Sequence, residues 1–227
     1  ALSVAFSAVT QANSLLDVEV RHLASTKVSN LQTEFGSQVI LAVNTASKCA
    51  YTPQLRELET LHKRFSRNEF SVLGFPSNDF ASQDPGTEAQ IADVCYVNYG
   101  VTFPMFEKIS VRGETAHTFF RSLSAMSGSD PAWNFHKYLI GKDGKIVNWF
   151  SSMTSPTSEG LLKQVEEANG FATMTHILAT EANKLLGADV SIENSIIWRL
   201  GLYDWKRQRT WCSRPACWVT QYLNQLE

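Results

Sequence analysis

The chain has 227 residues, 44% of them apolar and 19% charged, with a formal net charge of −2. That supports one large domain or a domain with an extension, and it excludes a protein that binds nucleic acid or membrane surfaces through overall charge. No apolar run is long enough to cross a bilayer, and the four cysteines (Cys49, Cys95, Cys212, Cys217) form neither a disulfide scaffold nor a C-x-x-C pair.

Residues 1–13, A-L-S-V-A-F-S-A-V-T-Q-A-N, are small and apolar and then stop. They read as the later part of a secretory signal, with Thr10-Gln11-Ala12 as the cleavage site, or as an N-terminal helix or unstructured lead. The first reading makes the protein exported or periplasmic; the other leaves it cytoplasmic. Residues 14–30 alternate apolar Leu16, Val18 and Val20 with polar Asp17, Glu19 and Arg21, as a half-buried strand or hairpin does.

The apolar, β-branched run Val39-Ile40-Leu41-Ala42-Val43 is a buried strand, and Leu55, Leu58, Leu61, His62 and Phe65 have helical spacing. Thr52 or Ser47 can cap this helix, with Pro53 in its first turn. Cys49 stands at the joint. There, backbone N–H groups, a helix N-terminus and neighbouring Lys48 favour thiolate over thiol, although a buried cysteine is also a common small hydrophobe.

Phe70-Ser71-Val72-Leu73-Gly74-Phe75 is a second strand ending at Pro76, which completes a βαβ unit with a parallel pair. Residues 77–86 form a polar loop. Thr87 caps a helix over residues 88–98 with Ile91, Val94 and Cys95 on one face. Residues 101–113 are extended, residues 116–125 a short helix, and Ser127-Gly128-Ser129-Asp130-Pro131 a loop. Strands over residues 133–140 and 145–150 flank the Asp143-Gly144 hairpin signal. Ser158 opens a helix running to residue 167. The pattern is α/β, a central mixed sheet flanked by helices.

Four stretches in order resemble the glutathione peroxidase family. They are N-T-A-S-K-C-A-Y-T around Cys49, L-G-F-P-S-N-D-F followed by Q-D-P-G at residues 83–86, N-Y-G-V-T-F-P-M-F at 98–106, and W-N-F-H-K-Y-L-I at 133–140. The resemblance covers residues 14–168 and implies a thioredoxin-like fold and reduction of hydrogen peroxide or organic hydroperoxides. It implies a site of Cys49, Gln83, Trp133 and Asn134; no cofactor is expected and, with the histidines scattered, no metal is expected either. Physically, the amides of Gln83 and Asn134 and the indole N–H of Trp133 can donate to a sulfur anion or to peroxide oxygens. A thiolate so placed attacks the O–O bond and becomes a sulfenic acid, which a second thiol must resolve. Thioredoxin-dependent members carry a resolving cysteine in the stretch of Cys95, so Cys95 is the candidate, with a buried core cysteine as the alternative. The short loop over residues 124–132 is compared with a longer insertion in tetrameric, glutathione-using members. The resemblance therefore implies a monomer reduced by a thioredoxin-like protein more than by glutathione. The chain departs from the family at Ala50 (usually Gly), Ser77 (often Cys) and Asp79 (often Gln).

His22, His62, His117, His136 and His176 show no metal-ligand spacing, and neither a phosphate loop nor a nucleophile elbow is present. Residues 169–227 form a C-terminal extension outside the resemblance. It opens with helical spacing from Phe171 to Leu186 and continues into a basic, tryptophan-rich stretch with Cys212 and Cys217. Docking on the domain, an unstructured tail, or contact with a lipid or partner are its alternatives, and no nucleic-acid partner is expected. A rival to peroxidase catalysis is a peroxide sensor or binding module in which oxidised Cys49 signals to a partner. A general disulfide oxidoreductase is disfavoured because Cys49 lacks a C-x-x-C mate.

Overall fold

The structure, a computed structural model, describes residues 15–170. The expectations for residues 1–13 and for the extension beyond Gly170, with Cys212 and Cys217, lie outside the described residues.

The alternating N-terminal stretch forms an antiparallel hairpin, β1 (Glu19–Arg21) with β2 (Val28–Asn30). A short helix, α1 (Leu31–Phe35), follows at once. Asn30 caps it by accepting from the Thr33 N–H at 3.1 Å, and Leu31 and Phe35, one turn apart, are its buried pair. β3 (Val39–Thr45) is buried along its whole length, as expected of the central strand. α2 (Gln54–Phe65) buries Leu55, Leu58, Leu61 and Phe65. A left-handed Glu69 then turns the chain into β4 (Phe70–Pro76), which pairs parallel to β3 from Val39↔Phe70 to Thr45↔Pro76. This is the βαβ unit read from the sequence.

α3 (Glu88–Ala92) opens with the capping box of Thr87 and Gln90. The helix does not continue regularly to residue 98: Asp93–Asn98 is a π-helical turn. α4 (Thr118–Ser127) closes at Gly128, which has the left-handed φ of 68° that glycine takes without cost. β5 (Lys137–Ile140) runs antiparallel to both β3 and β6 (Ile146–Phe150), with a bulge between Leu139 and Ile140. α5 (Glu159–Ala168) ends the domain.

The sheet order is β4-β3-β5-β6, a mixed four-stranded sheet. One face packs Ile40, Ala42, Leu73, Phe75, Tyr138 and Ile140 against Phe119, Phe120 and Leu123 of α4 and Leu31 and Phe35 of α1. Full burial of each such side chain stabilises the fold by about 1.5–3 kcal/mol. Period-2 alternation turns Leu41, Val43, Val72 and Leu139 to the opposite face, where α2 lies. Arg64 of α2 pairs with Glu166 of α5 at 2.8 Å, tying these two helices together.

The extended segment at residues 101–113 lies along the β4 edge. The Gly74 N–H donates to the Pro104 carbonyl and the Phe106 N–H to the Gly74 carbonyl, both at 2.9 Å. A Cβ on Gly74 would overlap Met105 Sδ, which explains the glycine inside a strand.

Two further local expectations fail. The strand expected over residues 133–140 begins only at Lys137, because Phe135 has a φ of 65° and breaks extension before it. Neither Thr52 nor Ser47 caps α2: Pro53 occupies the cap position with no side-chain bond to the helix. Thr52 is used elsewhere, as described next.

Candidate active site

Cys49 lies in a series of tight turns between β3 and α2, not at the helix terminus itself. The Thr52 N–H donates to the Cys49 carbonyl, Gln54 to Tyr51 and Leu55 to Thr52, all at 2.9–3.0 Å, so the chain winds for a turn before α2 becomes regular. The Thr52 hydroxyl holds this turn from inside. It accepts the Cys49 N–H at 3.0 Å and donates to the Ala46 carbonyl at 2.9 Å. The amides thought to surround the sulfur are therefore mostly committed. The exception is Tyr51, whose N–H donates to Cys49 Sγ at 3.4 Å. Cys49 is a free thiol, 8% exposed.

The loop after β4 is fastened to this turn. The Lys48 N–H donates to the Gln83 carbonyl at 2.9 Å, and the Ser47 N–H to Asp84 Oδ1 at 2.9 Å. Gln83 and Cys49 are thus held on adjoining turns although 34 positions separate them. Asp84 is fully buried, and burial pushes its carboxyl above the ordinary range against the opposing pull of Ser47 and of Lys108. Asn78 accepts the Asp84 N–H at 2.9 Å, and Lys108 Nζ donates to the Gly86 carbonyl at 2.8 Å, closing the loop from its other side.

The turn before β5 brings the remaining residues. Asn134 is fully buried and donates from Nδ2 to Gln83 Oε1 at 3.0 Å. That leaves Gln83 Nε2 without an acceptor among the described residues, and Asn134 Oδ1 buried without a partner among them. Asn44 of β3 anchors the same turn: its Nδ2 donates to the Trp133 carbonyl at 3.1 Å, and its carbonyl accepts the Phe135 N–H at 2.7 Å. Trp133 is 37% exposed, with its ring 5.7 Å from that of Phe80. The structure therefore joins Gln83 to Asn134 directly, Gln83 to the Cys49 turn through the backbone, and Trp133 to Asn134 through a shared turn. A thiol with one amide donor, on a turn fastened to the loop that carries the unengaged Gln83 Nε2 donor, is an arrangement that can stabilise negative charge on sulfur or oxygen.

Cys95 sits apart, in the π-helical turn, 2% exposed and free. Burial, reinforced by the charge of Asp84, pushes its thiol up to about 12. In this conformation it is a thiol and not a nucleophile.

The family departures are accommodated. Ala50 is not among the positive-φ residues, so its Cβ brings no backbone strain. Ser77 is buried and accepts the Asp79 N–H. Asp79 accepts from the Val111 N–H at 2.7 Å and the Ser110 hydroxyl at 3.0 Å, pinning the extended segment to the Gln83 loop. The turns are held together by Asn44 and Asp84, given no role from the sequence, by Thr52, expected there only as a helix cap, and by Asp79, noted there only as a departure from the family. Only the small polar character of Asn44 and Asp84 inside apolar or loop stretches marked those two.

A family model, Glutathione peroxidase, matches residues 15–124. The chain is 43% identical over 139 residues to the glutathione peroxidase-like peroxiredoxin HYR1 of Saccharomyces cerevisiae, covering 57% of this chain and 85% of that protein. Among solved structures it is similar to Trgpx in its apo form, with 34% identity and a TM-score of 0.55 over 70% of this chain and 96% of that one. A thiol:disulfide interchange protein of the thioredoxin family from Chlorobium tepidum superposes with a TM-score of 0.53 at 11% identity, over 67% of this chain and 93% of that one, and shares the fold alone. With its thioredoxin-like fold and its match to most of the length of such relatives, the chain belongs to the glutathione peroxidase family.

Proposed function

We propose that this peroxidase reduces hydroperoxides through Cys49, with Gln83, Trp133 and Asn134 supplying N–H donors around the sulfur. The observation that carries the reading is the fastening of Gln83 to two partners at once, the Lys48 N–H at 2.9 Å and Asn134 Nδ2 at 3.0 Å. It supports a preorganised donor set facing the Cys49 turn. In the first step the thiolate attacks the peroxide, an S–O bond forms as the O–O bond breaks, and the departing oxygen takes a proton to leave as water or alcohol. Cys49 becomes a sulfenic acid.

Cys95 then attacks that sulfur and displaces water, giving a Cys49–Cys95 disulfide. A thiol pushed up to about 12 by burial cannot do so from its present place, so the π-helical turn must open first. An external dithiol protein of thioredoxin type, in preference to glutathione, returns both cysteines to thiols, and the working unit is a monomer.

The test is peroxide consumption with thioredoxin, thioredoxin reductase and NADPH for wild type, Cys49→Ser and Cys95→Ser. The expected result is turnover by wild type, none by Cys49→Ser, and a stall of Cys95→Ser after one oxidation. Full turnover by Cys95→Ser would assign resolution to an external thiol. A single oxidation without turnover by wild type would favour the sensor reading.

A further inference from the structure

The turn carrying Trp133 and Asn134 is gripped by a buried lysine. Lys137, the first residue of β5, is 0% exposed, and its Nζ donates to the Phe135 carbonyl at 2.7 Å and the Ser151 carbonyl at 3.4 Å. Among the described residues no carboxylate lies within ion-pair distance of it. Glu57 of α2 is the acidic group in its field, and that carboxylate already accepts from the Ser155 hydroxyl; His136, its chain neighbour, is the other titratable group there. A buried ammonium without a counter-ion is costly, and an apolar side chain would fill the same place more cheaply. Its donors must therefore serve something that apolar packing cannot.

What they serve is the backbone of Phe135. Phe135 is a bulky, fully buried residue at a φ of 65°, a conformation such residues avoid unless their surroundings enforce it. Its N–H is held by the Asn44 carbonyl and its own carbonyl by Lys137, both at 2.7 Å. Releasing the carbonyl frees the Phe135–His136 peptide to rotate, and with it the backbone angles that hold Phe135 left-handed. The preceding residue, Asn134, then loses the direction that sets its Nδ2 at 3.0 Å from Gln83.

We propose that Lys137 is a positioning residue for peroxide reduction, clamping the left-handed Phe135 so that Trp133 and Asn134 keep their places beside Gln83. This rests on the reading of Cys49 given above. Burial, partly offset by Glu57, draws the Lys137 amine down to about 7, so the clamp is a charged donor below neutrality and a weaker neutral one above it.

The experiment is single-turnover oxidation by hydrogen peroxide, followed by thiol loss from pH 6 to 8.5, on wild type, Lys137→Met, Lys137→Gln and Cys49→Ser. Lys137→Met is expected to be oxidised at least tenfold more slowly at pH 6.5 with a native circular dichroism spectrum. Lys137→Gln, which keeps a donor without charge, should fall between. The ratio of wild-type to Lys137→Met rates should shrink as pH rises through about 7, a dependence that a merely stabilising lysine would not produce. A folded Lys137→Met oxidised within twofold of wild type overturns the proposal. If Lys137→Met does not fold, wild type decides: the Trp133 indole and Asn134 amide NMR signals should titrate with the Lys137 amine, and flat signals overturn the proposal. Peroxide reactivity retained in Cys49→Ser overturns the underlying reading and this inference with it. An inert Cys49→Ser beside a fast Lys137→Met overturns this inference alone.

Discussion

Replacing Glu88 with Gln should weaken the fold and, at the same time, hasten formation of the proposed Cys49–Cys95 disulfide. Glu88 stands in the first turn of α3, the helix that leads into the π-helical turn of Cys95. Its carboxylate accepts two N–H groups of Arg21, at 2.7 and 2.8 Å, and the backbone N–H groups of Ala24 and Lys108 at 3.2 and 3.4 Å. Arg21 foremost, with the two amides and against the effect of burial, holds the Glu88 carboxyl down at about 2. The drop from 4.5 to about 2 corresponds to about 3.4 kcal/mol at about 1.36 kcal/mol per pH unit. With the Glu88 side chain 25% exposed, solvent screening leaves about 1–2 kcal/mol. The expected fall in Tm at pH 7 is about 2–8 °C. A folded-state pKa below the unfolded one means that this stability is present above pH 4.5 and is lost as pH falls through about 2. If α3 releases Arg21 when Cys95 emerges, Glu88→Gln makes opening about 5–30-fold more favourable. Stopped-flow oxidation followed by thiol counting reads the disulfide step directly. A variant that melts lower yet closes the disulfide at the wild-type rate would refute the link and confine opening to the π-helical turn.

Three further outcomes are expected. Thr52→Val removes both buried hydrogen bonds of the Cys49 turn and should cost about 1–3 kcal/mol in urea unfolding while slowing oxidation of Cys49; an unchanged oxidation rate would separate that turn from the chemistry. His136 is 1% exposed, and burial, then the Lys137 charge, keeps its imidazole down at about 4. It stays neutral in the fold but protonates in the unfolded chain. Stability is therefore present above pH 6.5 and lost as pH falls through about 4, by about 3 kcal/mol. His136→Phe should flatten that part of the urea-midpoint profile, and parallel profiles would contradict the assignment. Gly74→Ala would force Met105 and Phe103 from the β4 edge, for an expected loss of about 1–3 kcal/mol on thermal unfolding.

The regular elements were legible wherever hydrophobic period and turn chemistry agreed. β3 announces itself through a continuous apolar run rich in β-branched residues, α2 through Leu55, Leu58, Leu61 and Phe65, and α3 through the Thr87–Gln90 capping box. α1 was missed because five residues carry one helical pair, Leu31 and Phe35, and its cap, Asn30, also ends a strand. The turn at Phe135 was misread because left-handed conformations are signalled by Gly, Asn or Asp, and an aromatic residue inside W-N-F-H-K reads as strand. The π-helical turn keeps Ile91 and Cys95 on a buried face, so its change of period leaves no trace in the apolar pattern. Cys49 could be suspected from its place after a strand. Gln83, Trp133 and Asn134 could not be gathered from composition or spacing, since separate loops bring them together and only the family resemblance joined them in advance. The residues that fasten those loops, Asp84 through Ser47 and Asn44 through Trp133, belong to tertiary contact and are invisible to local pattern.

On the two-cysteine mechanism proposed above, the burial of Cys95 also fixes when the enzyme is vulnerable. A thiol held up to about 12 and 2% exposed does not react with peroxide while the π-helical turn is closed, so the proposed resolving partner is spared from direct oxidation. The same closure leaves the Cys49 sulfenic acid waiting. During that interval a second peroxide molecule competes with Cys95 for the sulfur, and its product, a sulfinic acid, lies outside the thiol–disulfide cycle. On that mechanism, inactivation by excess substrate is governed by how fast one helical turn opens, and the peroxide concentration that halves the enzyme's lifetime measures that opening rate.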